Sequence, residues 1–177
     1  EMVSADAIVH GNEKTLRMAE FDKRERPIIL QIFGKEPDVM ARAAAILEKK
    51  FAPDGIDINM GCPARKIVSD FNGASLMREP KLAAEITRAV KRAVRAPVSV
   101  KTRLGWEEET EILGFSRVIE RAGADALAIH ARTKKQGFSG KANWEIVAKV
   151  KFYGANSVVL LEGRIPKKVI DLLINKI

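Results

Sequence analysis

Short β-branched segments bounded by Gly or Pro alternate with stretches of helical periodicity, and this alternation constrains the fold of the chain more than any other feature. Residues 27–33 (PIILQIF), 55–60 (GIDINM), 97–103 (PVSVKTR), 126–132 (ALAIHAR) and 157–161 (SVVLL) read as strands. Between the first two, Pro37 takes the first-turn position of a helix, and Val39, Met40, Ala43, Ile46 and Leu47 recur on one face. Pro80 opens a second helix, with Leu82, Ala83, Ile86, Ala89, Val90 and Ala93 on its apolar side. A third is expected over 107–122, stopping at Gly123; a fourth starts at the N-cap Asn143, and a fifth follows Pro166. Alternating β and α units of this kind build a mainly parallel sheet or barrel.

Composition narrows the class. Of 177 residues, 46% are hydrophobic, enough for a packed core. The apolar runs, such as 43–47 and 158–161, fall far below the ~18 residues of a membrane helix, so no membrane partner is expected. Cys62 is the only cysteine, which excludes an internal disulfide and a multi-cysteine zinc site; no metal site is expected. The N-terminus lacks signal-peptide order, so the expected location is cytoplasmic. The chain opens on Glu1 rather than Met, inside an apolar stretch, as an internal piece of a longer protein would. The formal charge is +8. It is uneven: residues 78–103 hold eight basic and two acidic side chains, and 132–151 hold six and one. Such fields attract polyanions, although a solvated helix face has the same composition.

Within the strands, one alternating set is apolar and the other turns polar toward the C-terminal end. Ile56, Ile58 and Met60 alternate with Asp57, Asn59 and Gly61; Val98, Val100 and Thr102 alternate with Ser99, Lys101 and Arg103. With the apolar sets under helices, four successive strands bring Gln31, Asn59, Lys101 with Arg103, and His130 with Arg132 to one end. Parallel α/β folds place their sites at that end.

Cys62 follows the second of these strands directly, in Asn59-Met60-Gly61-Cys62-Pro63. A thiol at its ordinary pKa of ~8.5 can donate a proton at neutral pH, whereas neighbouring cations would favour a thiolate nucleophile. Lys101 inside a strand requires an anion, either a carboxylate such as Asp57 or an electron-rich ligand edge. Arg103 and Arg132 offer planar forks for phosphate or a base edge, and Asn59 can pair with an imide. His130 can donate a hydrogen bond, take a proton or satisfy a neighbour. A cofactor-bearing oxidoreductase and a lyase fit this set equally.

The same residues, in order, resemble the tRNA-dihydrouridine synthase family. The likeness runs through residues 1–5 (EMVSA), Gln31-Ile32-Phe33-Gly34, residues 59–66 (NMGCPARK) and residues 73–77 (GASLM). It continues through residues 101–106 (KTRLGW), residues 129–133 (IHART), and residues 137–140 (GFSG) with Trp144. The resemblance implies an FMN-binding (β/α)8 TIM barrel followed by a small helical domain. It also implies reduction of the uracil C5–C6 double bond in tRNA, with NADPH or NADH reducing FMN. By that likeness Cys62 is the general acid, and Gln31, Lys101 and His130 hold the flavin, with Gly163 in its phosphate loop. Asn59 and Arg103 face the uridine, and Arg132 lies near the ligand or RNA. A uridine stacked within tRNA would have to be flipped out to reach a barrel mouth.

On the same resemblance, residues 1–177 form a partial barrel with about six of the eight β/α units, from the second strand to the seventh. The first and eighth strands and the C-terminal helical domain are expected to be missing. Glu162-Gly163-Arg164 stands in place of the family's Asn-Gly-Asp run, and Phe138 and Asn143 replace the usual Tyr and Asp. A dihydroorotate-dehydrogenase-like flavin barrel and a non-catalytic RNA-binding remnant are the alternative readings. No stable protein partner is expected.

Overall fold

The computed structural model describes residues 2–150 and 158–162. Six parallel strands run in it: β1 (Met2–Ser4), β2 (Ile29–Phe33), β3 (Gly55–Met60), β4 (Val98–Arg103), β5 (Ala126–His130) and β6 (Val158–Glu162). Each strand pairs with the one before it, in the sequential order β1-β2-β3-β4-β5-β6. This is the parallel α/β sheet that the alternation predicts, with the order found along part of a (β/α) barrel. The expected fifth helix lies outside the described residues.

Helices cover one face. After β1 come two short helices, α1 (Ala5–Val9), capped by the Ser4 hydroxyl, and α2 (Glu13–Arg17), capped by Asn12. The long helices are α3 (Pro37–Phe51) and α5 (Pro80–Ala93), both opened by a first-turn proline as expected. Met40, Ala43, Ala44 and Leu47 of α3 meet the apolar side of α5, where Ala83, Ala84, Ile86 and Val90 are buried. The small alanines let the two backbones approach. Beneath them the apolar strand set, Ile56, Ile58, Met60, Val98, Val100, Leu127 and Ile129, is wholly buried. Covering those side chains is the main stabilising term of the sheet.

Three differences from the sequence expectation have local causes. Helix α6 is Glu111–Arg121 and starts four residues late. Glu111 turns its carboxylate back to accept the backbone N–H groups of Trp106, Glu107 and Glu108, at 2.9, 3.1 and 2.8 Å, holding that stretch as a loop. Strand β5 ends at His130 because Arg132 N–H bends back to the His130 carbonyl, at 2.7 Å. The helices α1, α2 and α4 (Arg65–Val68) are too short for a 3.6-residue repeat to register. Helix α7 (Trp144–Lys149) begins as expected, with Asn143 Oδ1 accepting the Ile146 N–H.

Candidate active site

The other face of the sheet bears the polar set. Its strand register places Gln31 beside Asp57, Asn59 beside Lys101, and Arg103 beside His130. Toward the C-terminal ends of the strands these side chains wall a cleft of about 360 Å³, within the usual range for small-molecule sites. Gln31, Asn59, Lys101, Arg103 and His130 line it from β2 to β5, with Met2 from β1 and Gly61, Cys62 and Pro63 from the loop after β3. Phe138 closes one side. Six residues that the sequence singles out thus meet in one place: Gln31, Asn59, Cys62, Lys101, Arg103 and His130.

The Cys62 loop is fixed at each peptide group. Asn59 Oδ1 accepts the N–H groups of Gly61 and Cys62, at 3.2 and 3.0 Å. The Cys62 carbonyl accepts the Ala74 N–H at 3.1 Å, and the Gly61 carbonyl accepts Arg103 Nε at 2.8 Å. Gly61 itself lies close against β4: a β-carbon there would come within 3.2 Å of the Thr102 backbone. Cys62 is left half-buried at the cleft, a free thiol.

Arg103 is 3% exposed. Besides Gly61, its guanidinium donates to the carbonyls of Thr133 and Gly137, at 3.1 and 2.8 Å, and it lies 5.4 Å from the centre of the Phe138 ring. The side chain therefore ties the loop after β3 to the loop after β5. Phe138 is 78% exposed and meets His130 edge to face, with centroids 6.2 Å apart. Arg132 lies past the end of β5 and outside the cleft lining, with Nε on the Gly140 carbonyl at 3.2 Å. Gly163 lies outside the described residues.

Below the lining runs a layer that the sequence reading did not assign to the site. Asp57 is 7% exposed; one carboxylate oxygen accepts the Ser99 hydroxyl and the other accepts Gln31 Nε2 at 2.6 Å. Gln31 Oε1 in turn accepts Asn59 Nδ2, at 2.9 Å. Burial pushes the Asp57 carboxyl above its ordinary range, while the bonds from Ser99 and Gln31 and the Lys101 charge pull the other way. The signal for this layer was present: Asp57 and Ser99 belong to the same alternating set as Asn59 and Lys101. Phe138 and Met2 carried no such signal, because neither belongs to a polar pattern.

The donor set suits a flat, electron-rich cofactor with a polar edge. A lysine, an arginine, an imidazole and two neutral amides line it together, with Asn59 beside Lys101 and Arg103 beside His130. Among the described residues no group of three His, Cys, Asp or Glu side chains could hold a metal ion, and no helix is long and apolar enough to cross a membrane.

A cleft at the C-terminal ends of parallel strands, polar on its floor and framed by the connecting loops, has the position of an α/β enzyme active site. The chain belongs to the dihydrouridine synthase (Dus) family, whose model matches residues 1–167. It is 46% identical to a probable tRNA-dihydrouridine synthase 1 of Synechocystis over 153 residues, covering 85% of this chain and 42% of that protein. It is 43% identical to a probable tRNA-dihydrouridine synthase of Treponema pallidum, covering 84% and 45%, respectively. To tRNA-dihydrouridine synthase B of Pseudomonas aeruginosa it is 37% identical, covering 85% and 46%. The chain spans less than half the length of these relatives.

Proposed function

We propose that this chain carries most of the catalytic barrel of a flavin-dependent oxidoreductase that reduces uridine to 5,6-dihydrouridine in tRNA in the cytoplasm. The observation that carries the reading is the meeting of Cys62, Asn59, Lys101 and His130 around one cleft, in a chain of this family. The six parallel strands are read as consecutive units of a (β/α)8 barrel.

Gln31, Lys101 and His130 would hold FMN, with Gly163 in the segment that meets its phosphate. The Lys101 ammonium offers a positive charge to the electron-rich part of the ring. FMN reduced by NADPH or NADH would supply the hydride for one carbon of the C5–C6 double bond. Cys62 Sγ–H gives its proton to the other carbon, so that the bond gains one hydride and one proton. Held by Asn59 and Ala74 on its two peptide groups, the thiol meets the substrate without a search over loop conformations. Asn59 and Arg103 are assigned to the uridine side of the cleft, and Arg132 to the RNA beyond it. Arg103 would act there while bracing both loops.

RNA binding is supported by the basic surplus around the strand ends. Arg65, Lys66, Lys135 and Lys141 are exposed there, and Lys134 and Arg78 lie 4.0 and 5.2 Å from the centre of the Trp106 ring.

FMN released on denaturing the purified chain, measured per mole of protein, followed by dihydrouridine formation in unmodified tRNA with NADPH, tests the proposal. Near-stoichiometric FMN, with turnover lost in Cys62→Ala while flavin stays bound, is the expected result. Turnover unchanged in Cys62→Ala would remove the cysteine from the proton-donor role. Absence of FMN even after reconstitution would show that this chain does not build the cofactor site by itself.

A further inference from the structure

The geometry points to Asp57 as the residue that positions Cys62, through a relay of side chains whose hydrogen-bond polarity it sets. The inference rests on the reading of Cys62 as proton donor, but its geometry stands independently of that reading.

Amide side chains can present either end to a neighbour, and a chain of two amides therefore has two possible polarities. In this site both ends of the chain select the same one. At one end, both Asp57 oxygens face donors, Ser99 Oγ and Gln31 Nε2, as suits an acceptor-only carboxylate. With its NH2 committed to Asp57, Gln31 has only its oxygen to offer Asn59, which must donate Nδ2 to it. Asn59 is left with its oxygen toward the loop, where the N–H groups of Gly61 and Cys62 can only donate. The order Cys62 N–H to Asn59 to Gln31 to Asp57 thus runs donor to acceptor without a conflict. It spans β3, β2 and the cysteine loop.

Asp57 and Asn59 are buried, so a wrong polarity cannot be repaired by bulk water. A side chain at 57 that cannot accept would free Gln31 to turn over, present its NH2 to Asn59, and push the Asn59 oxygen off the cysteine loop. Asp57 is not among the residues that line the cleft, and it reaches that lining through its bond from Gln31. It is a positioning residue.

The test uses near-isosteric exchanges, read by the alkylation rate of Cys62 with iodoacetamide. Cys62 is the only cysteine, so the product is counted by mass. Native far-UV circular dichroism is required of each variant. Asp57→Leu removes the acceptor, frees Gln31 to present its NH2 to Asn59, and should change the alkylation rate on the order of tenfold, the size of one mispaired buried bond. Asp57→Asn should stay near the parent rate, since its oxygen can still accept from Gln31. A parent-like rate in Asp57→Leu, or a rate in Asp57→Asn no closer to the parent than that of Asp57→Leu, overturns the relay. If Asp57→Leu does not fold, Gln31→Met replaces it by removing the acceptor of Asn59 Nδ2, and a parent-like rate there overturns the relay equally. Alkylation reports how Cys62 is set whether or not it donates a proton. Failure of the proton-donor role would show instead as full turnover in Cys62→Ala.

Discussion

Gly73 lies against Cys62 so closely that a β-carbon on the glycine would stand 2.8 Å from the Cys62 carbonyl oxygen and 3.2 Å from the Cys62 β-carbon. The backbone there has φ +60°, a region that costs other residues about 1 kcal/mol or more. Gly73 also precedes Ala74, whose N–H holds the Cys62 carbonyl. Gly73→Ala should therefore lower the urea midpoint and change the Cys62 alkylation rate together. A variant that loses stability with the thiol unaffected would show that the contact does not hold the cysteine loop.

The Asp57 carboxyl gives a signed pH dependence. Burial raises its pKa, outweighing the Ser99 and Gln31 bonds and the Lys101 charge. The folded chain therefore keeps this proton to higher pH than the unfolded chain, whose carboxyl titrates near 3.8. The stabilising contribution is full below that value and is lost as pH rises through the folded pKa. Asp57→Asn removes the titration, so its urea midpoint should gain on the parent as pH rises from below 3.8 through the folded pKa. Parallel midpoints across that range would refute the assignment.

Glu111 holds three backbone N–H groups of the loop before α6 with one carboxylate. Glu111→Ala should release residues 105–110 and cost about 1–3 kcal/mol in urea unfolding. Trp106 reports the change locally: with Trp144 replaced by Phe, its emission should move to the red as the loop opens. An unshifted spectrum with unchanged stability would mean that the loop is held by its other contacts, such as the Lys135 N–H on the Trp106 carbonyl.

Lys101 is the cation assigned to the flavin. Lys101→Ala should lower the FMN retained through purification and shift the absorbance of what remains. Parent-like flavin content and spectrum would move the Lys101 charge from the cofactor to Asp57, whose carboxyl already feels it.

The sheet was legible because a strand buried under helices declares itself by period-two apolar residues, as Ile56, Ile58 and Met60 do. The same period puts Gln31, Asn59 and Lys101 on a common face. What the period could not give was partnership. Arg103 sits where the alternation puts it, but three carbonyls from two distant loops accept from its guanidinium, and carbonyls leave no trace in a sequence. Arg132 follows His130 by two residues and would share its face if β5 continued. The backbone turns back at His130 first, so Arg132 leaves the cleft. Asp57 read as a counter-ion for Lys101, and its bond to Gln31 became visible only with the β2–β3 register, which sets those two residues side by side. Boundaries moved where a side chain captured backbone groups, as Glu111 does.

The strand order also has a consequence for how the chain is made. Every strand pairs with its predecessor, so each new β-segment finds its template already in place and closes a loop only one β/α unit long. Gln31, Asp57, Asn59 and Ser99 sit on three consecutive strands, and the peptide groups that they hold end at Cys62. The hydrogen-bonded floor of the cleft can be assembled once the nascent polypeptide has passed Ser99, before β5 and β6 have left the ribosome.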